Sequence, residues 1–393
     1  MVKLHKSKMR ENNRKMIGYG AQRMNDIFEL ADDLGPLKVI HVHEPGIDLK
    51  GVLVVDNVAR GPSIGGVRMA PDVTTEECAR LARAMTLKNA AADLPHGGGK
   101  AVLVGDPKMS KARKETLIRG FCCALREVEQ YIFGPDMGTD EECMAWVKDE
   151  IGRSVGLPRE LDGIPLDEIG ATGFGLSHAV DVAQEFCEFE LRGAKFAVQG
   201  FGAVGRHAAR FLGQAGAVAV AVSDSAGTIF NPEGLDVEAL IELKSTGKSV
   251  TESADGEKRD RDAIIDIECD IWIPAARPDV IHEGNVDRLN TRLIAQGANI
   301  PVTYAAEKIL HERGILNIPD FIANAGGVIC AAVEYQGSGE AAAFASIEEK
   351  LRRNTREVLE TARREQILPR DAAFAMARRR VEQAMNYRRW HIF

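Results

Sequence analysis

The chain has 393 residues, of which 27% are charged and 45% hydrophobic, and its formal net charge is −8 at pH 7. This length exceeds what one hydrophobic core usually supports, so we expect two domains. The excess negative charge disfavours a partner with a phosphate backbone, and we expect no nucleic-acid partner. Because no apolar run approaches the roughly 20 residues of a membrane-spanning helix, we expect no membrane partner either.

The seven cysteines are odd in number and form no C-x-x-C pair. Most of them lie within apolar patterns, which is typical of reduced residues in a core. The sequence therefore predicts a cytoplasmic protein without a metal site. The basic N-terminus lacks the apolar segment of a secretory signal, and we interpret it as the exposed start of a first helix.

The segment from residue 61 to residue 100 is the most informative part of the chain. We expect turns at Gly65-Gly66 and at Gly97-Gly98-Gly99. Between them, Thr74-x-x-Glu77 is a capping-box pattern followed by helical spacing, so we predict a helix. Lys88 falls on the apolar stripe of that helix, and an inward lysine reaches water, pairs with a carboxylate of the protein or binds an anionic ligand.

Lys100 follows the three glycines directly, where a ligand can approach the backbone without meeting a Cβ atom. Burial lowers the pKa of a lysine towards neutrality, which makes the side chain usable as an acid or base. Two such lysines indicate a site for an anionic carbonyl compound. Asp136 lies in the loop 134–139, before a helix that we expect Thr139 to cap; it is either an ordinary turn aspartate or a member of the same site.

The remaining patterns alternate between strands and helices. We expect helices at residues 25–34, 111–131 and 172–186, and strands at residues 38–42, 51–55, 101–104, 271–273 and 293–295. After Asn324 the chain becomes helical, with Ser346-x-x-Glu349 as the cap of a long helix and Pro369 before a last one. The proline-rich stretch 155–169 predicts a domain boundary near Ala171.

A dinucleotide-binding motif follows the strand at residues 195–199. The motif is G-x-G-x-x-G before a helix, made of Gly200, Phe201, Gly202, Ala203, Val204 and Gly205. Its first glycine permits a tight turn, the second admits the pyrophosphate and the third lets the helix pack closely. A second strand, at residues 217–222, is followed by Asp224, where the ribose-binding acid of this fold stands. Asp224 would repel a 2′-phosphate, so we predict NAD as the cofactor; nearby arginines leave NADP possible.

With these motifs assembled, the sequence resembles the glutamate/leucine/phenylalanine/valine dehydrogenase family over nearly its whole length. The blocks that are similar to family blocks are GPSIGGVR, MTLKNAAADLPHGGGK, GPDMGT, ATGFG, QGFGAVG, PAA, QGAN and NAGGV. The resemblance implies a two-domain α/β fold. Its parts would be a substrate-binding and catalytic domain at 1–170, a Rossmann-type dinucleotide-binding domain at 171–343, and C-terminal helices at 344–393 that return to pack on the first domain.

The resemblance also implies roles for single residues. Lys88 would bind the substrate α-carboxylate, Lys100 would be the catalytic lysine that polarises the carbonyl and activates water, and Asp136 would shuttle a proton to the amino group. The residues around the nicotinamide and its ribose would be Thr172, Asn299 and Asn324. The implied partners are an amino acid, its 2-oxo acid and ammonia, and the implied assembly is a homo-oligomer, hexameric or octameric.

The substrate side chain is predicted from three further positions, Ile64, Gly66 and Ala331. Family members that use glutamate grip its side chain with a lysine and a serine, where this chain has Ile64 and Ala331. These apolar residues favour leucine, valine or phenylalanine as the substrate. Two alternatives stay open: a glutamate dehydrogenase, which the chain length and the MAWVKDE segment favour, and a catalytically silent NAD-responsive regulator on the same scaffold.

Overall fold

The structure, a computed structural model, describes residues 27–388. The chain divides into two compact units, residues 1–33 and residues 34–393. In the first unit the described residues contain one 3₁₀ turn, Ile27–Leu30, where we predicted a helix over 25–34. The basic N-terminal residues lie outside the described range. All other elements belong to the second unit.

The first sheet of that unit has five strands. They are β1 (Lys38–Glu44), β2 (Leu49–Asn57), β3 (Ser63–Ala70), β4 (Gly97–Val104) and β5 (Tyr131–Pro135). Their order across the sheet is β1-β2-β4-β3-β5. The pairs β1/β2 and β2/β4 are antiparallel, whereas β3 runs parallel to both β4 and β5. Strand β4 is central, and β3 lies between β4 and β5.

Three helices cover this sheet: α1 (Thr75–Ala91), α2 (Lys111–Ala124) and α3 (Glu141–Ile151). The predicted start of α1 is confirmed, because Thr74 Oγ1 accepts a hydrogen bond from the Glu77 amide at 3.1 Å. The predicted end of α2 is wrong, since the apolar run that continues the helical pattern belongs to the buried strand β5. The cap of α3 is also wrong by one residue: Asp140, rather than Thr139, accepts from the Cys143 amide at 3.0 Å.

The predicted glycine turns are strand residues. Gly65 and Gly66 lie within β3, and Gly97 to Gly99 lie within β4. A Cβ atom on Gly98 would stand 1.9 Å from the Thr86 amide nitrogen of α1, and one on Gly65 would stand 1.9 Å from the Gly99 carbonyl oxygen. Glycine is needed here because a helix and a neighbouring strand approach the backbone closely.

The second sheet has seven strands, in the order β12-β11-β10-β6-β7-β8-β9. They are β6 (Lys195–Gln199), β7 (Val218–Asp224), β8 (Gly227–Phe230), β9 (Glu257–Arg259), β10 (Ile271–Pro274), β11 (Leu293–Ala295) and β12 (Leu316–Ile318). Strands β6, β7, β10, β11 and β12 are parallel, and β8 and β9 extend one edge in antiparallel pairs. This parallel sheet is the core of a Rossmann-type domain, as predicted.

Eight helices accompany and follow this sheet. They are α4 (Ala171–Ala183), α5 (Ala203–Gln214), α6 (Val237–Ser245), α7 (Tyr304–Glu312), α8 (Asp320–Ala323), α9 (Gly326–Tyr335), α10 (Glu340–Glu365) and α11 (Pro369–Tyr387). The predicted cap at Ser346 is wrong, because α10 begins six residues earlier and Ser346 lies inside it. The last helix begins at Pro369, as its position suggested.

The C-terminal helices return to the first domain. Arg380 of α11 donates to the carbonyl oxygens of Ala90 and Ala91 at the end of α1, at 3.2 and 2.9 Å. Lys350 of α10 donates to the Asp93 carbonyl at 3.0 Å. The two-domain α/β fold with returning helices is thereby confirmed, whereas the boundaries after residues 170 and 343 stay predictions.

Within residues 27–388, no helix combines the length and the apolar character that crossing a membrane requires. All seven cysteines are free thiols. Cys78, Cys122, Cys143, Cys269 and Cys330 are buried, and Cys123 is exposed. Burial raises the pKa of Cys78 to about 12, so this thiol stays protonated and packs as a small apolar side chain.

Candidate active site

A cavity of about 520 Å³ lies between the two domains. Its walls come from β3, α1, β4 and the end of β5 on one side, and from α4, α5, α8 and α9 on the other. The predicted site residues that line it are Ile64, Gly66, Lys88, Lys100, Asp136, Thr172, Val204, Asn299, Asn324 and Ala331. Residues more than 260 positions apart in sequence therefore share one cavity.

Lys100 and Asp136 form an ion pair in this cavity, with 3.0 Å between Lys100 Nζ and Asp136 Oδ2. Lys100 is on β4 and Asp136 follows β5, so the pair crosses over β3, the strand between them. Lys100 is only 5% exposed. Burial lowers the pKa of its ammonium group, and the carboxylate of Asp136 partly offsets that effect. A lysine with a lowered pKa beside a carboxylate is suited to exchanging protons with a bound molecule.

Gly66 makes this crossing possible. It lies on β3, opposite Gly134 of β5, at the point where the lysine and the aspartate meet. A Cβ atom on Gly66 would stand 2.7 Å from Asp136 Cβ and 3.3 Å from Lys100 Nζ. The absence of a side chain at this position thus opens the space that the ion pair occupies.

Arg68 is a member of this cluster that the sequence reasoning missed. Its Nε atom donates to Asp136 Oδ2 at 2.9 Å, and its Nη1 atom donates to Glu77 Oε1 at 2.6 Å. Arg68 closes the GPSIGGVR block, and strand alternation places it on the same face of β3 as Gly66. That alternation, applied to β3, could have identified it. Arg68 and Lys100 thus contact the same oxygen of Asp136 and together fix its orientation.

Lys88 lies in the cavity wall formed by α1. Its Nζ atom donates to Asn324 Oδ1 at 2.7 Å. Burial lowers the pKa of Lys88, while the charge of Asp320 raises it and that of Lys100 lowers it further. Because the partner that the structure describes is an uncharged amide, the ammonium group is suited to an anionic ligand.

Asn324 connects Lys88 to the opposite wall. Its Nδ2 atom donates to Asn299 Oδ1 at 3.0 Å and to the Ala298 carbonyl at 3.2 Å. Thr172, in the first turn of α4, lines the same wall beside Gly327. The three residues predicted to surround the nicotinamide and its ribose are therefore neighbours in the fold.

The glycine motif has the geometry that a dinucleotide pyrophosphate requires. Gly200 has φ +96°, in the region that favours glycine, and turns the chain from β6 towards α5. A Cβ atom on Gly202 would meet nothing within 4 Å, which leaves the approach to the backbone open. One on Gly205 would stand 2.0 Å from the Gly200 carbonyl, so α5 packs directly on the turn. No side chain caps α5, and its first N–H groups can bind phosphate.

The other motif residues support this turn. Phe201 is buried, and its amide donates to the Ser223 carbonyl at 2.9 Å. Ala203 and Val204 form the first turn of α5, and Val204 reaches the cavity wall. The residues present therefore fit a nicotinamide dinucleotide, whose pyrophosphate the Gly200–Gly205 turn would hold.

Asp224 ends β7 at the predicted position, but its carboxylate is already engaged. Oδ1 accepts from the Ala226 amide and from Ser249 Oγ, both at 2.9 Å. Oδ2 accepts from Lys244 Nζ at 2.9 Å and from the Val250 amide at 3.0 Å. Burial alone would raise the pKa of Asp224, yet these hydrogen bonds lower it to about 2. Lys244, which the sequence analysis missed, thus compensates the charge expected to select NAD.

One end of the cavity is apolar. Ile64 packs with Ile132 and Val155, both fully buried, and with Ala331 of α9. The cations that line the whole cavity are Lys88 and Lys100. Ile132 and Val155 were not predicted, because nothing in their local sequence connects them to Ile64.

In residues 27–388, no cluster of His, Cys, Asp or Glu side chains could hold a metal ion.

A Rossmann-type domain whose glycine motif reaches, through Val204, the cavity of a buried lysine paired with an aspartate defines a nicotinamide-dependent dehydrogenase. The chain belongs to the Glutamate/Leucine/Phenylalanine/Valine dehydrogenase family, whose model matches residues 163–389. The dimerisation domain of the same family matches residues 38–153. The protein is an NAD(P)-dependent amino-acid dehydrogenase that acts on the CH–NH2 group.

Two curated relatives are similar along most of the chain. A glutamate dehydrogenase of Aeropyrum pernix is 39% identical over 357 residues, covering 85% of each chain. An NADP(+)-dependent glutamate dehydrogenase of Pyrobaculum calidifontis is 37% identical over 366 residues, covering 87% of each. These names favour the glutamate alternative, and they do not confirm the predicted preference for an apolar side chain.

Solved structures of the family superpose on most of the chain. The hetero-hexameric glutamate dehydrogenase of Thermus thermophilus, in its Leu-bound form, is 28% identical with a TM-score of 0.78 and coverage of 91% of both chains. The L-tryptophan dehydrogenase of Nostoc punctiforme is 25% identical with a TM-score of 0.71, covering 91% of this chain and 99% of its own. The same fold thus serves enzymes named for an acidic and for an apolar amino acid.

Proposed function

We propose that this enzyme interconverts an L-amino acid that has an apolar side chain with its 2-oxo acid and ammonia. The observation that carries the proposal is the apolar end of the cavity, where Ile64, Ile132, Val155 and Ala331 pack together. A carboxylate there would be desolvated without a partner, whereas a leucine, valine or phenylalanine side chain would gain free energy from burial.

In the proposed mechanism, Lys88 binds the α-carboxylate and thereby fixes the amino acid relative to the Lys100–Asp136 pair. When bound, NAD or NADP supplies the hydride acceptor. Neutral Lys100 takes a proton from the water that attacks the imine carbon, and the resulting ammonium stabilises the carbinolamine oxygen. The Asp136 carboxylate accepts the proton of the carbinolamine hydroxyl and passes it to the amino nitrogen, so that the C–N bond breaks, ammonia departs and the carbonyl forms. Arg68 keeps this carboxylate in place.

Glutamate is the second candidate substrate. It is favoured by the names of the curated relatives, which are glutamate dehydrogenases. It would require the side-chain carboxylate either to stay in water or to reach a cation that is not among the cavity-lining residues.

A panel of L-amino acids distinguishes the candidates. Purified protein with NAD at alkaline pH should give a higher kcat/KM with leucine, valine or phenylalanine than with glutamate. If glutamate gives the highest value, the second candidate replaces the first. If neither leucine, valine, phenylalanine nor glutamate is turned over, both candidate substrates are wrong.

The assembly and location are part of the same proposal. The match to a dimerisation domain and the hexameric relative support a homo-oligomer, hexameric or octameric. The free cysteines support a cytoplasmic location. Light scattering on the purified full chain measures the number of subunits.

A change at Gly66 should lower the turnover rate. In Gly66→Ala the new methyl group would push Asp136 away from Lys100, because it would stand 2.7 Å from Asp136 Cβ. A displacement near 1 Å at reacting groups costs roughly a hundredfold in rate, and we expect kcat to fall by about that factor. Steady-state kinetics at saturating substrate measure it.

The matched control for this variant is Gly213→Ala in α5, where a Cβ atom would meet nothing within 4 Å. It should leave kcat unchanged. A Gly66→Ala enzyme whose kcat stays within threefold of the wild type would contradict the role given to this glycine.

A change at Lys244 should alter the choice of cofactor. Lys244→Met would leave the carboxylate of Asp224 without its cation, so the repulsion of a 2′-phosphate would increase. We expect kcat/KM with NADP to fall by about tenfold relative to NAD, which corresponds to ~1.4 kcal/mol. Lys248→Met, which changes an exposed neighbour, is the control. Equal losses with both cofactors would mean that Lys244 only supports the fold.

A further inference from the structure

The backbone beside Asn299 is strained. Ile300 has φ +51°, a conformation that β-branched residues rarely adopt, and its side chain is 58% exposed. Hydrophobic burial therefore does not explain the conformation. Instead the turn is held from two sides, since the Ile300 amide donates to Asp320 Oδ2 and its carbonyl accepts from the Asp279 amide, both at 2.9 Å. Strain of this kind persists only where surrounding groups enforce it.

Asp320 is the group that connects this turn to the rest of the site. It is 6% exposed and opens the short helix α8, which ends at Asn324. Its backbone carbonyl accepts from the Asn324 amide at 2.7 Å. Its second carboxylate oxygen lies 3.0 Å from Nη1 of Arg370. A single residue therefore contacts the Ile300 turn, the Asn324 backbone and the C-terminal helix α11.

Arg370 connects Asp320 to two further buried residues. Its Nε atom donates to Glu307 Oε2 at 2.7 Å, and its Nη2 atom donates to Gln296 Oε1 at 3.1 Å. Glu307 is 2% exposed, and Gln296 is fully buried. The ion pair with Arg370 and the hydrogen bond from the Ile300 amide hold the two oxygens of the Asp320 carboxylate.

Asp320 also acts on Lys88 through space. The geometric link is Asn324, whose side chain accepts from Lys88 and whose amide donates to the Asp320 carbonyl. The charges that act on the pKa of Lys88 are that of Asp320 on α8, which raises it, and that of Lys100 on β4, which lowers it. Asp320 is the carboxylate that favours the charged form of Lys88, while the direct hydrogen bond of Lys88 goes to the amide of Asn324. A carboxylate that makes no direct hydrogen bond with the ammonium group stabilises its charge and does not occupy its N–H groups.

We propose that Asp320 is a positioning residue, which holds the Asn299–Ile300 turn in its strained form and keeps Lys88 charged for the substrate α-carboxylate. The inference rests on the proposed role of Lys88. It does not depend on the side chain of the substrate, because every amino acid and 2-oxo acid carries the α-carboxylate.

The test compares Asp320→Asn with Glu307→Gln. Both variants remove one buried carboxylate that contacts Arg370, but only Asp320 is among the charges that act on Lys88. With NADH bound, D320N should weaken 2-oxo-acid binding, measured by calorimetry, about tenfold, and KM should rise by a similar factor while kcat changes less than threefold. E307Q should bind the 2-oxo acid within twofold of the wild type, even if both lose thermal stability.

The pH profile gives a readout that a purely structural role would not change. Without Asp320, burial and Lys100 are left to lower the pKa of Lys88, so Lys88 loses its proton at a lower pH. The alkaline limb of kcat/KM should therefore move to lower pH in D320N and stay in place in E307Q. Asp320→Glu restores the charge and should recover most of the lost affinity.

Several outcomes would overturn the inference. D320N and E307Q could weaken 2-oxo-acid binding equally, which would assign the effect to the network as a whole, or D320N could bind like the wild type. If D320N does not fold, D320E decides: the inference fails if that variant loses affinity tenfold although its charge is kept. If the wild type turns over amino acids and D320N has the same kcat and KM, the inference alone is overturned. If the wild type binds no amino or 2-oxo acid, the proposed function is overturned as well.

Discussion

Lys100→Ala should lower kcat by about 10³-fold or more, because it removes both the base that activates water and the cation that stabilises the carbinolamine oxygen. Binding of NADH should be unchanged, since the contacts expected for the dinucleotide lie at the Gly200–Gly205 turn and not at β4. Steady-state kinetics measure the first effect, and the fluorescence of bound NADH measures the second.

The pH dependence of this variant follows from the environment of Lys100. Burial lowers the pKa of Lys100, so its neutral form, which is the base, becomes populated as the pH rises through that lowered value. The wild-type kcat should therefore increase across this range, and the increase should vanish in Lys100→Ala. The control is Lys111→Ala, which removes an exposed lysine that pairs with Glu142. Near-normal turnover in Lys100→Ala would remove this residue from the mechanism.

The double change Ile64→Lys with Ala331→Ser should shift the enzyme towards glutamate. In the unmodified protein, a glutamate side chain placed against these residues would strand a carboxylate among apolar groups, at a cost of several kcal/mol. A difference of ~3 kcal/mol corresponds to roughly a hundredfold in kcat/KM. An aliphatic or aromatic side chain would instead gain about 1.5–3 kcal/mol from burial there.

We expect the double variant to raise kcat/KM for glutamate by about a hundredfold and to lower that for leucine. The ratio of the two values, measured under the same conditions, is the relevant quantity. Ile64→Leu, which keeps the wall apolar, should leave the ratio within threefold of the wild type. If the unmodified enzyme already prefers glutamate and the double variant does not change the ratio, Ile64 and Ala331 do not contact the substrate side chain.

The site residues that the sequence predicted share one property: each stands in a compact block with its own chemical pattern. Lys88, Lys100 and Asp136 all line one cavity, as expected from their blocks. Arg68, Lys244 and Asp320 were missed, since each acts on a residue that the fold brings close across strands or loops. Local sequence carries little information about such contacts.

The errors in secondary structure have physical causes of the same kind. Glycines that allow a turn and glycines that allow close approach of another backbone look identical in sequence. The sequence therefore predicts a turn at Gly97 to Gly99, which lie in β4. The pattern at Ser346 resembles a helix start, but the preceding residues 341–343 are alanines and continue α10. At Gly97 to Gly99 a neighbouring element decides the structure, whereas before Ser346 the helix propensity of the alanines does.

The hydrogen bonds from Arg380 to the carbonyls of Ala90 and Ala91 have a consequence for synthesis on the ribosome. The helix that carries Lys88 ends in carbonyl groups that receive these donors only after nearly the whole chain has been translated. A nascent chain that already contains the first sheet therefore still lacks the groups that complete the end of the helix that carries Lys88. We expect ribosome-bound chains that stop before α11 to be cleaved by proteases near residues 90–93, and chains that include α11 to resist cleavage there.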